Sequence, residues 1–304
     1  MLVHFGVDLI EAEWSGSTVC IGMFDGVHLG HQELIRQTVA LAAEQEHPSI
    51  IVTFDRNPLA ILAPDRKPAS IGTLELNVRA CRGMGASLGV IMRFDQELSQ
   101  TSASEFLEKV LVEKLKAKHI VVGHDFALGR GREGTGAWLS ERIPTTIVGA
   151  VEYKGIRVSS SHIRELISAG DVSSAAEFLT RPFRMAGIVI SGQKLGRTIG
   201  YPTINLARAS DQIIPLDGIY AGLARTPHGT FKAAISIGFR PTVEGSHRTI
   251  EAYLLDYPGT SLYGAPVEIS FIQRIRGEEK FDGLEALTKA IDHDVEMTRS
   301  LVSL

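Results

Sequence analysis

The sequence predicts two domains of different class: an α/β domain with a parallel sheet, followed by a small antiparallel β-barrel closed by a helix. Three observations predict it. Before about residue 180, short β-branched apolar runs alternate with helical patterns. After about residue 184, strand patterns of period two follow one another, separated by turns rich in Gly, Pro and Asp. A last helical pattern then runs over 282–302. A chain of 304 residues has room for two cores. The junction is expected at Arg181-Pro182, so that the domains are 1–181 and 182–304.

In the first half the strands are read at "TVCIG", "SIIVTF", "LGVIMRF", "HIVVG" and "TTIVGAV", and the helices at 31–46, 74–84, 103–116 and 134–142. Apolar runs buried on both faces and joined by helices imply a parallel sheet with right-handed crossovers. Such a sheet binds ligands beyond the carboxyl ends of its strands, near the point where strand order reverses. Two short helices, "SHIRELISAG" and "VSSAAEFL", lead up to the junction. In the second half the strands are "RMAGIVIS", "IYAGLART", "FKAAISIGF", "IEAYLLDY" and "PVEISFIQRIR". Val267, Ile269, Phe271 and Gln273 alternate there with Glu268, Ser270, Ile272 and Arg274, the mark of a sheet with two unlike faces. Many such strands in a short length suit a small barrel.

Composition narrows the class. A net charge of −4 argues against a nucleic-acid or anionic-membrane partner. The two cysteines, Cys20 and Cys81, fall in apolar or helical patterns and are read as buried thiols of a reducing, cytoplasmic compartment. The N-terminus lacks a basic start and meets Asp8 early, so no signal peptide is expected. No apolar run approaches the length of a membrane span.

The first candidate site is "CIGMFDGVHLGHQELI", residues 20–35. A strand enters it, a turn carries Gly22, Phe24, Asp25, Gly26, His28 and Gly30, and a helix begins near His31. Free N–H groups at a helix start form an anion site, and the glycines let phosphate approach the backbone. His28 and His31 can donate hydrogen bonds to phosphoryl oxygens. On spacing alone the pair also fits two solvated imidazoles. Zinc fits less well, because no third ligand stands at a recognisable spacing. Gly129–Gly134 matches G-x-G-x-x-G, but two arginines in the loop and its late position disagree with a dinucleotide turn. The run "VVGHDFALGRGREG" is read instead as a ligand-lining loop, with Asp125 and Phe126 near a base or ring, although its tip also suits a plain surface loop.

The second candidate site is "SGQKLGRTIGYPTINL", residues 191–206. Gly192, Gly196 and Gly200 are interleaved with Lys194 and Arg197 and followed by Pro202, a composition suited to phosphate. Thr203 and Asn205 lie two apart on an extended chain and face the same way. Their oxygens suit Mg²⁺ bound to a nucleotide phosphate. A polar β-turn is the plain alternative. Glu251, in "TIEAYLLDY", is a carboxylate on a strand expected to be buried on both faces, a costly place unless the group is paired or used. It is either a general base for phosphoryl transfer or a strand-end partner in a salt bridge. No Walker A sequence occurs, which excludes an ordinary P-loop kinase.

Two resemblances sharpen these readings. His28-Leu29-Gly30-His31 after a first strand resembles the H-x-G-H signature of the nucleotidyltransferase superfamily, a Rossmann-like fold, and "VSSSHIREL" resembles its second element. Ser159, Ser160 and Ser161 can cap a helix there; the resemblance implies that Arg164 holds the leaving pyrophosphate by forked hydrogen bonds and that Ser159 and Ser160 bind nucleotide or phosphate. The motif G-x-x-x-G-R-T-x-G-Y-P-T-x-N-L, then "DGIYAG", "SIGFRPT", "IEAYLLDY", "LYG" and "RIRGEEKF", resembles the flavokinase module in order and nearly throughout. The two in series are the layout of the bacterial bifunctional riboflavin kinase/FAD synthetase family. That resemblance implies substrates riboflavin, FMN and ATP, products FMN and FAD, Mg²⁺ at Thr203 and Asn205, Glu251 as base, and Phe126 and Arg276 at the flavin. Three departures stand out: "TFDRNP" puts Asn57 where the family usually has histidine, Ser236-Ile237-Gly238 replaces N-I-G, and "SSSHIR" replaces S-S-T-R-I-R. Competing readings are a riboflavin kinase with weakened or lost adenylylation, a nucleotidyltransferase for another phosphate monoester, and a non-catalytic flavin sensor.

Overall fold

The computed structural model describes residues 1–8, 10–192, 199–208, 211–242 and 245–304. The chain divides into two compact units. The first comprises Met1–Pro68 and Leu74–Ser159, the second Ala69–Thr73 and Ser160–Leu304.

The first unit is built on a six-stranded parallel sheet: β1 (Leu2–Phe5), β2 (Ser17–Ile21), β3 (Ser49–Phe54), β4 (Leu88–Met92), β5 (Ala117–Gly123) and β6 (Thr145–Val148). Its order is β1-β4-β3-β2-β5-β6. Every residue of β2 and of β4 is buried, as expected where helices cover both faces. Strand order reverses between β2 and β5, so their carboxyl ends open a crevice. Strand β1 escapes the sequence pattern because Leu2 and Phe5 are exposed; it is an edge strand placed by register on Leu88–Ile91. Helix α1 (Leu29–Glu44) buries Leu34, Ile35, Thr38 and Ala42, one stripe at helical spacing. Helix α2 is Leu74–Arg82. The helix predicted over 103–116 opens on a capping box between Ser102 and Glu105 and continues as a π-helix over Phe106–Lys114. Gly129–Gly134 is not a strand-to-helix turn: it joins the two-residue antiparallel strands Ala127–Leu128 and Gly134–Thr135. Cys20 and Cys81 are free and buried, and burial pushes the Cys20 thiol up to about 12.

The second unit opens with helices α3 (Ser160–Ser168) and α4 (Val172–Leu179). Asp171 caps α4 through the Ser174 N–H at 3.0 Å, and Thr180 ends it in the left-handed region. By compactness these helices, which the sequence places ahead of the 181–182 junction, fold with the barrel that follows. That barrel comprises β7 (Phe183–Ile190), β8 (Thr203–Arg208), β9 (Gly218–Thr226), β10 (Gly229–Thr242), β11 (Gly245–Leu254) and β12 (Pro266–Arg276). It closes in the order β7-β8-β11-β10-β9-β12, with antiparallel neighbours throughout. Val267, Ile269 and Phe271 point into the core as the alternation requires. The alternation then fails: register shifts against β9 pass over Ile272, and Gln273 comes to the surface. A β-bulge inserts one residue and turns the side chains that follow it over, until a second shift passes over Ile275. Helix α5 (Leu284–Leu301) is tied to the barrel by a fork of hydrogen bonds from Arg276 to Asp294, at 2.9 and 2.7 Å. The segment Ala69–Thr73 is held there by the buried Gln212, whose Nε2 donates to the Ile71 carbonyl at 2.8 Å. Among the described residues, no helix is long and apolar enough to cross a membrane.

Candidate functional site

The corner between β2 and α1 lies at the carboxyl edge of the sheet, beside the crevice. Its backbone is tightly constrained. Phe24, Gly26 and Val27 have φ of 46°, 76° and 41°. For the β-branched Val27 this is a true outlier, costing on the order of 1–3 kcal/mol, and the surroundings hold it. Gly22 N–H donates to the Val52 carbonyl at 3.1 Å, and Thr53 Oγ1 to the Met23 carbonyl at 3.3 Å. Gln32 Nε2 donates to the Val27 carbonyl at 2.9 Å. Gly26 N–H donates to Asn77 Oδ1 of α2 at 3.0 Å. Phe24 and Val27 are each only 1 % exposed, so the turn is anchored in the core.

His28 is the N-cap of α1. Its Nδ1 accepts from the His31 N–H at 3.4 Å, which places the proton of a neutral ring on Nε2. The two imidazoles stack with centroids 3.7 Å apart and planes within 14°. The Phe24 ring meets His31 edge-on at 5.4 Å. A Cβ on Gly30 would stand 3.3 Å from the His28 ring, so a side chain there would crowd the imidazole. Asp25 is buried. The sequence thus reads this corner correctly as a histidine pair at a helix start. It misses Asn77, although the signal is present: a polar residue interrupts the stripe Leu74, Val78, Cys81 of α2, and such a residue needs a buried partner.

Other expected residues follow neighbouring strands of the same sheet. After β3, Asn57 Oδ1 accepts from the Leu59 N–H at 2.9 Å, an Asx turn. Arg56 is engaged with Asp55 at 2.6 Å. Burial opposes ionisation of Asp55, but hydrogen bonds from Arg56 and from the Phe94 N–H hold its carboxyl below the usual range. After β5, Asp125 is exposed, with Arg157 at 3.7 Å and Arg132 donating to its carbonyl at 3.0 Å. Phe126 is half-buried against the first core. Ser159 ends the first unit and Ser160 begins α3 in the second. Arg164 Nε donates to the Ala69 carbonyl at 2.7 Å, within the second unit.

In the barrel, register assembles what the sequence separates. Asn205 of β8 stands opposite Glu251 of β11, and Glu251 opposite Ser236 of β10. Residues paired across strands share a face, so the three line one side of the sheet. Thr203 Oγ1 donates to Glu251 Oε2 at 2.9 Å. Ile250, Ala252 and Leu254 are buried inside, while Glu251 and Tyr253 are half-buried outside. The face of Glu251 is therefore not the fully buried one expected, and its charge keeps part of its hydration. Asn205 is buried. Gly192 lies so close that a Cβ there would fall 2.3 Å from Asn205 Nδ2. Gly200 has φ 89° and Pro202 is exposed. Lys194, Gly196 and Arg197 lie outside the described residues.

Two contacts bring α5 to this site. Tyr201, next to Pro202, donates to Asp292; that bond and burial push its hydroxyl up to about 12. Its ring meets Tyr253 edge-on at 5.2 Å. Arg276, expected at the flavin, has its fork on Asp294 and its guanidinium 5.5 Å from the Phe281 ring. The hydrogen bond to Asp294 outweighs burial and raises its already high pKa. Neither carboxylate of α5 was legible in the sequence, because both contacts depend on how that helix docks.

Comparison with known proteins adds the following. Residues 10–162 match the FAD synthetase family and residues 179–302 the riboflavin kinase family. A bifunctional riboflavin kinase/FMN adenylyltransferase of Pseudomonas fluorescens is 35% identical over 304 residues, spanning 98% of this chain and 97% of that protein. Its namesake in Bacillus subtilis is 32% identical over 294 residues, spanning 94% and 92%. A solved structure described as a macrolide-efflux protein from Streptococcus pneumoniae is similar with a TM-score of 0.90 and 29% identity, over 99% of this chain and 100% of that one.

Proposed function

The chain belongs to the bifunctional riboflavin kinase/FMN adenylyltransferase family, and from that premise we propose that it phosphorylates riboflavin with ATP and then adenylylates the FMN with a second ATP, giving FAD and pyrophosphate. We assign adenylylation to residues 1–181 and phosphorylation to 182–304. The observation that carries the kinase reading is the Thr203–Glu251 hydrogen bond beside Asn205.

In the kinase step, Glu251 takes the proton of the riboflavin 5′-hydroxyl as its oxygen attacks the γ-phosphorus and ADP leaves. Thr203 holds the carboxylate toward that hydroxyl. A hydroxyl and an amide oxygen are the hard, neutral donors Mg²⁺ accepts, so the donor set of Thr203 and Asn205 fits the ion, which when bound offsets charge on the ATP phosphates. Gly192, Lys194, Gly196, Arg197, Gly200 and Pro202 form the phosphate-binding loop in this reading. Arg276 shapes the flavin end while its fork stays on Asp294.

In the adenylylation step, an FMN phosphate oxygen attacks the α-phosphorus of ATP in line and pyrophosphate leaves. His28 through Nε2, His31 and the start of α1 stabilise the charge that develops. Gly22, Phe24, Asp25, Gly26 and Gly30 build the turn that presents them. Arg164 holds the pyrophosphate, Ser159 and Ser160 bind nucleotide phosphate, and Asp125 and Phe126 face the base and the flavin. The buried, free cysteines support a reducing cytoplasm as the compartment.

The test is direct. Incubated with riboflavin, ATP and Mg²⁺, the protein yields FMN and then FAD, resolved by chromatography. FMN alone would leave a kinase without the second activity; no product from riboflavin would remove the kinase reading.

Asn57 sets the balance of the two steps. It stays neutral where a histidine could carry charge, and a charge-assisted hydrogen bond is about twice as strong as a neutral one. FMN therefore accumulates before FAD. Asn57→His speeds FAD formation a few-fold, equivalent to about 1 kcal/mol, and leaves FMN formation alone. The exchange also removes the Oδ1 that accepts from the Leu59 N–H. Absence of an FMN lag in the parent, or slower FAD formation in Asn57→His, would contradict this role.

A further inference from the structure

The turn that carries the histidines is strained and braced from outside, and one brace comes from a helix that has no part in the chemistry assigned above. Asn77 sits on α2, half-buried, one turn before the buried Cys81. Its Oδ1 accepts the Gly26 N–H at 3.0 Å. Gly26 lies between two core-anchored residues, Phe24 and Val27, and all three have positive φ. His28 follows Val27 directly and begins α1. The direction of the Gly26 peptide therefore sets where the turn delivers His28, and Asn77 fixes that direction.

We infer that Asn77 is a positioning residue for nucleotidyl transfer: by accepting the Gly26 N–H it holds the left-handed turn that aims His28 and His31. The inference rests on the adenylyltransferase reading of this site. Its physical basis is that strained backbone persists only where the surroundings over-determine it. A reacting group displaced by about 1 Å loses rate on the order of 10². The bond also commits the Gly26 N–H, so Gly26 serves the site by its backbone shape rather than as a phosphate donor through that atom. Because the histidines act on charge that develops during transfer, their misplacement lowers kcat more than it raises KM.

The experiment compares the full-length parent with Asn77→Leu, which keeps the volume but has no acceptor, and Asn77→Asp, which keeps the acceptor. Each is assayed for FAD formation from FMN and ATP with Mg²⁺, and for FMN formation from riboflavin. The expected result is that Asn77→Leu lowers the adenylylation kcat at least about 10-fold with KM for FMN within about threefold. Asn77→Asp should stay within about threefold of the parent, and FMN formation should be equal in all three. The idea is overturned if Asn77→Leu keeps its rate, if Asn77→Asp falls as far as Asn77→Leu, or if FMN formation falls in step. Amide hydrogen exchange at Gly26 reads the same bond without turnover: slow in the parent and Asn77→Asp, fast in Asn77→Leu. A parent that makes no FAD counts against the adenylyltransferase reading alone, and exchange at Gly26 then decides the role of Asn77, equal rates in all three overturning it.

Discussion

Glu251→Gln should abolish FMN formation from riboflavin while FAD formation from supplied FMN continues at the parental rate. The amide is nearly isosteric and can still accept from Thr203 Oγ1, which donates to Glu251 at 2.9 Å, so the barrel keeps its local geometry. What is lost is the ability to take a proton, and a positioned base contributes roughly 10²–10⁴ in rate. Glu251 stands on the half-buried outer face of β11, so removing its charge leaves no unpaired ion in the core. The two activities are measured on one preparation. Equal loss of both in a folded variant would refute the assignment of Glu251 to the kinase step, as would a variant that still makes FMN at near-parental rate.

The second large effect is expected at the histidine pair. His28→Ala or His31→Ala should lower FAD formation by roughly 10² or more, the cost of losing one preorganised donor to a developing oxyanion, with FMN formation preserved. The rings stack at 3.7 Å and His28 Nδ1 accepts from the His31 backbone. Each therefore orients the other, and the double variant should lose less than the two single losses combined. His28 is also the cap of α1, so its removal costs about 1 kcal/mol of stability, read separately by thermal unfolding. A double variant that makes FAD at the parental rate would remove these residues from the mechanism.

Much of the fold was legible because its signals are local. The runs "TVCIG" and "SIIVTF" are apolar without alternation and β-branched, which marks strands covered on both faces. Strand β12 alternates until Phe271, where the bulge begins. A bulge is invisible in the pattern because it is set by the strand alongside. The edge strand Leu2–Phe5 was missed for the same reason: its own residues are exposed, and it is a strand only because β4 offers it a partner. Strand β8 read only as an extended chain, yet it closes the barrel between β7 and β11.

By itself the sequence determined the two fold classes, the histidine pair at a helix start, and the residue types of the proposed kinase site: a hydroxyl, an amide and a carboxylate. These follow from periodicity and from residues a few positions apart, which chain geometry alone brings together. Tertiary structure decided that Asn205 faces Glu251 across a register of 46 positions, that Arg276 spends its fork on Asp294, that Tyr201 reaches Asp292, and that Asn77 holds the Gly26 turn. Each joins elements whose relative placement depends on barrel closure or helix docking. Those are settled by the packing of the whole unit, where a shift of one residue in register would turn Glu251 to the other face.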